Sequence, residues 1–519
     1  MNGAPSTDGY FTDLPYLAHY IRELNPHVIR AALNFNSVPA PDTYKSFSYM
    51  ELGFGAGLSL VVNAAANPHA DFYGVDLMQK HVDDVRDVAR AAGIENLRAD
   101  AIGFAQLDDQ DYPDFDFIVL HGVWSWINEQ NRQRILGFIA RKLKSTGVVY
   151  VSYNVMTGWA ALLPFRHLLK IKHDRAAGSA DQRIRDALQQ AAELEKAGAK
   201  YFKGNPAASE KLKNSLTMAP AYLAHEYLNA DWAPFAFESV AADMGDLGLA
   251  FGGSAESVFN IAPFNFTAAG QKLIAQANDL IEAETLKDVL LNQRFRRDVY
   301  VATGKYSTRN AMLADLKTTL FAGLVTPELY PQVSLQTALG IFKGKMPSHR
   351  ALIDTLAEKP DALENLLTHP ALASFTIEDV AGSLAFLLAA RAVGTALPPD
   401  LQERARPACD RLNAWLLSNA NDGAVSPVLA SPVLGGGFEL PLQDFLIMAN
   451  RGPTAAERAF EGLKARGQSF LGGDGQSLSD SVAVENLKRR AEQFAKEPGS
   501  ILKALGLARD VDVLKAQGQ

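Results

Sequence analysis

The sequence predicts an α/β fold built on a mostly parallel sheet with helices on both faces. Three observations carry this reading. A glycine-rich turn follows an apolar strand at residues 49–60, YMELGFGAGLSL; further apolar strands alternate with helical segments up to Asn154; and the composition is ordinary for a globular chain, 48% hydrophobic and 21% charged over 519 residues.

The elements follow in order. Gly53, Gly55 and Gly57 allow a sharp strand-to-helix turn, a close backbone approach to a ligand and tight strand–helix packing, while the helix start offers unpaired N–H groups. Leu58 stands where a dinucleotide fingerprint would place its last glycine, and Glu51 supplies a carboxylate suited to a methionyl amino group. The pattern therefore favours S-adenosylmethionine (SAM) over NAD. Residues 71–77, DFYGVDL, read as a second strand ending at Asp76, where a carboxylate accepts from ribose hydroxyls, with Leu77 on the cofactor side. Val82, Val85, Ala89 and Ala92 recur at helical spacing before a stop at Gly93. Residues 97–100 form a short third strand that places Asp100 and Ala101 at the cofactor, Asp100 toward an adenine amino group; a simple turn-former is its bland alternative.

Residues 115–123, FDFIVLHGV, are a buried fourth strand, followed by a helix from about Asn128, and residues 147–154, GVVYVSYN, are a fifth. His121 ends the fourth strand at the sheet's carboxyl edge, as a cofactor or catalytic residue or as a core histidine. Trp124 and Trp126 suit an aromatic wall for a substrate, or the core. Tyr153 and Asn154 hold the corresponding place after strand five, with Tyr153 also a catalytic candidate. HEYLN at 225–229 lacks the second histidine of a zinc protease, leaving His225 as a substrate-side candidate or, with Glu226, a capping pair.

The blocks HGVWSWI (121–127), YVSYNVMTGW (150–159), YLAHEYLNADWAP (222–234) and RFRRDVYV (294–301) complete a pattern that resembles class I SAM-dependent methyltransferases. More narrowly, they resemble bacterial methyltransferases with a regulatory domain, a group that includes protein-lysine methyltransferases acting on outer-membrane proteins. The loop departs from that pattern at Phe54. The resemblance implies a Rossmann-like seven-stranded sheet, SAM as donor with S-adenosylhomocysteine as product, and an α-helical plus winged-helix remainder. It divides the chain into a SAM-binding core with strands one to five (1–158), a helical insertion or lid (159–230), completion of the sheet by strands at 247–254 and 296–303 (231–305), and a separate C-terminal unit (306–519). In that unit, residues 351–357 and 361–367 read as short helices, 377–396 as one long helix and 429–442 as a hairpin around three glycines.

Bulk properties bound the partners. The single cysteine, Cys409, leaves no intrachain disulfide and no zinc cluster, so no metal is expected and a reducing, cytoplasmic compartment is the expectation. The longest apolar run, 383–390, is cut short by Arg391, so no membrane span is expected. A net charge of −8 with no basic block argues against nucleic acid, and the C-terminal unit is expected to serve protein contact or a homodimer. The acceptor is expected to be a protein lysine, with a glycan or small molecule as the alternative and a non-catalytic SAM-binding scaffold as the reading of another class. A lysine needs desolvation and an aromatic channel; a hydroxyl needs a base such as His121 or His225.

Overall fold

The structure, a computed structural model, describes residues 19–218, 223, 227, 229, 231–302, 315–422, 425–450, 454–468, 470, 478–494 and 498–507. Its centre is a seven-stranded sheet of β1 (Ser48–Leu52), β2 (Asp71–Asp76), β3 (Leu97–Ala101), β4 (Phe115–Leu120), β5 (Leu143–Asn154), β6 (Ala250–Ser254) and β7 (Phe295–Val301), in the order β3-β2-β1-β4-β5-β7-β6. Strands β1 to β5 run parallel, and β7 runs antiparallel to both β5 and β6. The chain reverses its direction of winding at β1 and β4. Such a switch point leaves a crevice at the carboxyl ends of the strands. All five residues of β1 are buried, as a central strand requires.

The helices between these strands are those the spacing predicts. Helix α1 (Pro26–Phe35) precedes the sheet, α2 (Leu58–Ala66) opens on Gly57, and α3 (Gln79–Ala92) stops at Gly93, which adopts a left-handed φ of 61°. Helix α4 (Glu129–Lys142) is capped by Asn128, whose side chain accepts the Asn131 N–H. After β5 come the helices Leu163–Arg175, Ala180–Lys196 and Pro206–Ser215, which close around a core of their own that includes Trp159, Phe165, Phe202 and Tyr227.

Beyond the sheet the structure differs from expectation in three places. The helix read over 377–396 ends at Ala389; Arg391 takes φ 55°, and Val393–Ala396 pairs antiparallel with Leu320–Gly323. Val393 and Thr395 are β-branched and favour that extended ending, and Gly394 between them disfavours continued helix. Asp361–Ala362 is the third strand of the same small sheet, where a helix was expected to begin. The glycine hairpin is present, as Val428–Ser431 against Gly436–Glu439, but with helix Pro399–Ser418 it packs on α2 and α3.

The described residues between 399 and 507 are therefore not a separate unit; they share one continuous hydrophobic core with α2, α3 and one face of the large sheet. The reason lies in α2 itself, LSLVVNAAA, which is buried on every side and so needs a cover on its outer face. Arg411 Nε donates to the Ala92 carbonyl at 2.7 Å, closing the end of α3. The three glycines permit backbone contact: a Cβ at Gly436 would stand 1.9 Å from Asn25 Nδ2, and the Gly435 carbonyl accepts from Asn25 and Asn67.

Candidate active site

The glycine loop joins β1 to α2 with Gly53, Gly55 and Gly57 at φ 74°, 58° and 69°. The three differ in what surrounds them. A Cβ on Gly53 would lie 2.7 Å from Val123 Cγ2 and one on Gly57 2.2 Å from Val85 Cγ2, whereas a Cβ on Gly55 would meet nothing within 4 Å. Two of the glycines thus serve packing, and Gly55 faces open space. The loop is pinned from β2: Asp76 Oδ2 accepts the Gly55 N–H at 2.8 Å, and Oδ1 accepts the Met78 N–H at 2.9 Å and lies 3.1 Å from His81 Nδ1.

Around this loop lies a cleft with two lobes that share Gly53, Gly55, Gly122 and Trp126. The smaller, about 90 Å³, is walled by Leu77, Met78, Ile102, Phe104, Val123 and Ile127, with Asp76 at its edge. The larger, about 370 Å³, holds Glu51, His121 and Asn154 and is bordered by His19 and Ile21, by Trp159, Leu162 and Lys211 of the insertion, and by Arg294 and Phe295.

Glu51 is 3% exposed, and its Oε2 has no hydrogen-bond partner among the described residues. Burial pushes its carboxyl up to about 8, opposed by a hydrogen bond with Tyr49 and aided by the charge of Asp76. A buried acid with one unpartnered oxygen in a cavity is suited to a cationic ligand. His121 Nδ1 is 2.8 Å from the Tyr150 hydroxyl, and burial, aided by Arg297, holds its pKa down to about 3. It is a neutral imidazole and a weak base. Asn154 Nδ2 is likewise buried without a partner among the described residues.

An apolar lobe, an open glycine and a carboxyl with one unpartnered oxygen fit the adenine, backbone contact and amino group of SAM. Leu77, Met78, Ile102 and Phe104 would hold the adenine end, Asp76 the ribose through its remaining lone pairs, and Glu51 the amino group.

Two family models match the chain: a methyltransferase domain over residues 50–149 and a predicted methyltransferase regulatory domain over residues 219–302. The chain is a class I SAM-dependent methyltransferase with a regulatory domain. Over 504 residues the methyltransferase is 29% identical to an uncharacterized protein of Synechocystis, covering 96% of this chain and 99% of the relative. It is 27% identical to an uncharacterized protein of Rickettsia prowazekii, covering 59% and 55%. Among solved structures, PKMT2 of Rickettsia typhi in complex with AdoHcy has a similar fold, with TM-score 0.65 at 18% identity, covering 96% of this chain and 99% of that one.

The methyltransferase brings most of the residues marked in its sequence to this cleft, and leaves four of them elsewhere. Asp100 lies on neither lobe, because its carboxylate is held by Arg98 Nε at 2.7 Å and the Tyr112 hydroxyl at 2.8 Å. Ala101 is also off the cleft, and the following residues Ile102–Phe104, which sequence reasoning missed, line it instead. Their signal was two large apolar side chains just past a strand end.

Trp124 is fully buried in the core beneath the sheet's edge, while Trp126, two residues on in the same short turn, borders both lobes. Tyr153 points away from the cleft: its hydroxyl donates to Asp298 Oδ2 at 2.7 Å, in a buried cluster where Arg296 pairs with Glu284, Asp288 and Asp298. Adjacent strand residues face opposite ways, so Asn154 reaches the cleft and Tyr153 cannot. That removes Tyr153 as a catalytic or channel residue. His225 lies outside the described residues. The insertion's Trp159, Leu162 and Lys211 were not marked as site residues, although the insertion itself was expected above the cofactor edge.

Proposed function

We propose that this methyltransferase transfers the SAM methyl group to lysine side chains of a protein. The observation that carries the reading is the character of the larger lobe: Trp126, Trp159 and Phe295 wall it, and burial lowers both its histidines, His19 and His121, the latter to about 3. A hydroxyl acceptor needs a base titrating near neutrality; His121 does not provide one, burial also lowers His19, and Glu51, raised to about 8, is engaged by the amino group of SAM. An amine needs only to shed its proton to water in an apolar surrounding and approach in line. The sulfonium supplies an activated methyl, so no nucleophile of the enzyme is required. Glu51 anchors the amino group, Asn154 offers an amide donor toward the acceptor side, and Trp126 excludes water from both lobes.

The full-length likeness in fold to PKMT2, a protein-lysine methyltransferase, supports the same choice. The proposed compartment is the cytoplasm, where SAM is made and where Cys409 stays a buried thiol. Among the described residues no helix is long and apolar enough to cross a membrane. The test is incubation with methyl-labelled SAM and a lysate of the native host. Label on lysine of proteins supports the proposal; label confined to glycans or small metabolites refutes it.

A further inference from the structure

The larger lobe already contains a lysine of the chain itself. Lys211 sits on helix Pro206–Ser215 and borders the same cavity as Glu51 and the glycine loop. Its Nζ lies 6.0 Å from the ring centroid of Trp159 and 5.6 Å from that of Tyr227. Two aromatic faces at that range attract an ammonium and hold a methylated one as well, because the attraction depends on charge and ring quadrupole rather than on N–H donors. The rings do not adapt to Lys211 alone; they are buried core of the insertion, meeting edge to face at 6.4 Å, so the cage is rigid.

We propose that Lys211 is an internal acceptor: it borders the larger lobe beside Trp159 and is methylated by its own active site when no protein substrate displaces it. The inference rests on the lysine reading above. In the step, Lys211 Nζ first gives a proton to solvent water. Its lone pair then forms the C–N bond as the S–C bond of the sulfonium breaks, leaving methyl-lysine and neutral S-adenosylhomocysteine. Methylation would leave a cation in the cage, so the modified side chain would still compete with incoming substrate.

The experiment uses the full chain. Purified protein is incubated with methyl-labelled SAM, with and without host lysate, and the peptide containing Lys211 is analysed by mass spectrometry; K211R is run beside it. Separately, binding of n-butylamine to wild type and K211A is measured by calorimetry, with no SAM present. The expected results are methylated Lys211 in the wild type, no label at that position in K211R, and at least tenfold tighter butylamine binding to K211A, whose cage is vacated. Labelled lysate lysines with an unmodified Lys211 overturn this inference and leave the lysine reading standing, as does equal butylamine binding by both proteins. A protein that binds SAM yet labels no lysine anywhere overturns both.

Discussion

The carboxylate of Asp76 and the backbone of Gly55 are joined directly: Oδ2 accepts the Gly55 N–H at 2.8 Å, so the residue at the end of β2 also shapes the loop at the end of β1. Asp76→Ala should therefore weaken SAM binding by about 1.5–3 kcal/mol, through loss of a charged acceptor to both ligand and loop. Calorimetry checks this; unchanged affinity would place the ribose elsewhere.

Gly55 and Gly57 should respond differently to alanine. Both would put Cβ in a left-handed backbone, at a cost of about 1–2 kcal/mol. Gly57→Ala also meets Val85 at 2.2 Å and should lose roughly 1–3 kcal/mol more by overpacking. Gly55→Ala clashes with nothing in the protein and should instead lose SAM affinity. Denaturant melts and calorimetry on both variants separate the two effects.

Glu51 makes cofactor binding a proton-linked event. With its carboxyl raised to about 8, Glu51 is protonated at pH 6.5 without ligand and should ionise beside the bound ammonium. Binding should then release close to one proton, read as a dependence of the calorimetric enthalpy on buffer, and Glu51→Gln should abolish the release. The sign for stability follows. A folded-state value above the ordinary 4.5 means that the ligand-free protein binds more protons folded than unfolded, so its stability falls as pH rises from about 4.5 through about 8.

His121 should be silent in the pH–rate profile. An amine acceptor predicts a rate climbing toward about pH 9, about tenfold per unit below the acceptor pKa. His121→Asn should leave the shape of that profile unchanged, because a group titrating at about 3 has no step in this range. A wild-type plateau near neutrality that vanishes in the variant would restore a histidine base.

Arg296 pairs with Glu284, Asp288 and Asp298 in a site where all four side chains are at most 8% exposed, and Lys287 also pairs with Glu284. Arg296→Met leaves Asp288 and Asp298 without their cation, while Glu284 keeps Lys287, and should cost about 3–5 kcal/mol, read as a fall in unfolding midpoint. A shift within error would show that the cluster is hydrated.

What the sequence disclosed follows from the range of the interactions involved. The loop glycines, Glu51 and Asp76 were legible because a turn and its ligand-facing strand ends are local, and the order of strands to Asn154 was legible from apolar runs and helical spacing. Tyr153 and Asn154 were both named because parity along β5 depends on which face Arg296 occupies, a contact made across 143 residues of chain. Trp124 and Trp126 pose the same problem within one turn. Asp100 was different: Arg98, two residues earlier on the same strand face, was in view as a competing partner. The docking of residues 399–507 was hidden in pairing, yet half its signal was present, since Ser59 and Asn63 are the only polar side chains that α2 has to give to water.

That helix sets a schedule for synthesis. The apolar outer side of α2 leaves the ribosome early, and its cover, helix Pro399–Ser418 with the following hairpin, is translated only near the end of the chain. At about 5–20 residues per second the wait is on the order of tens of seconds. During it the nascent cofactor domain displays the kind of surface that chaperones capture, so a ribosome-stalled chain ending before Pro399 should bind a hydrophobic probe that the finished protein ignores.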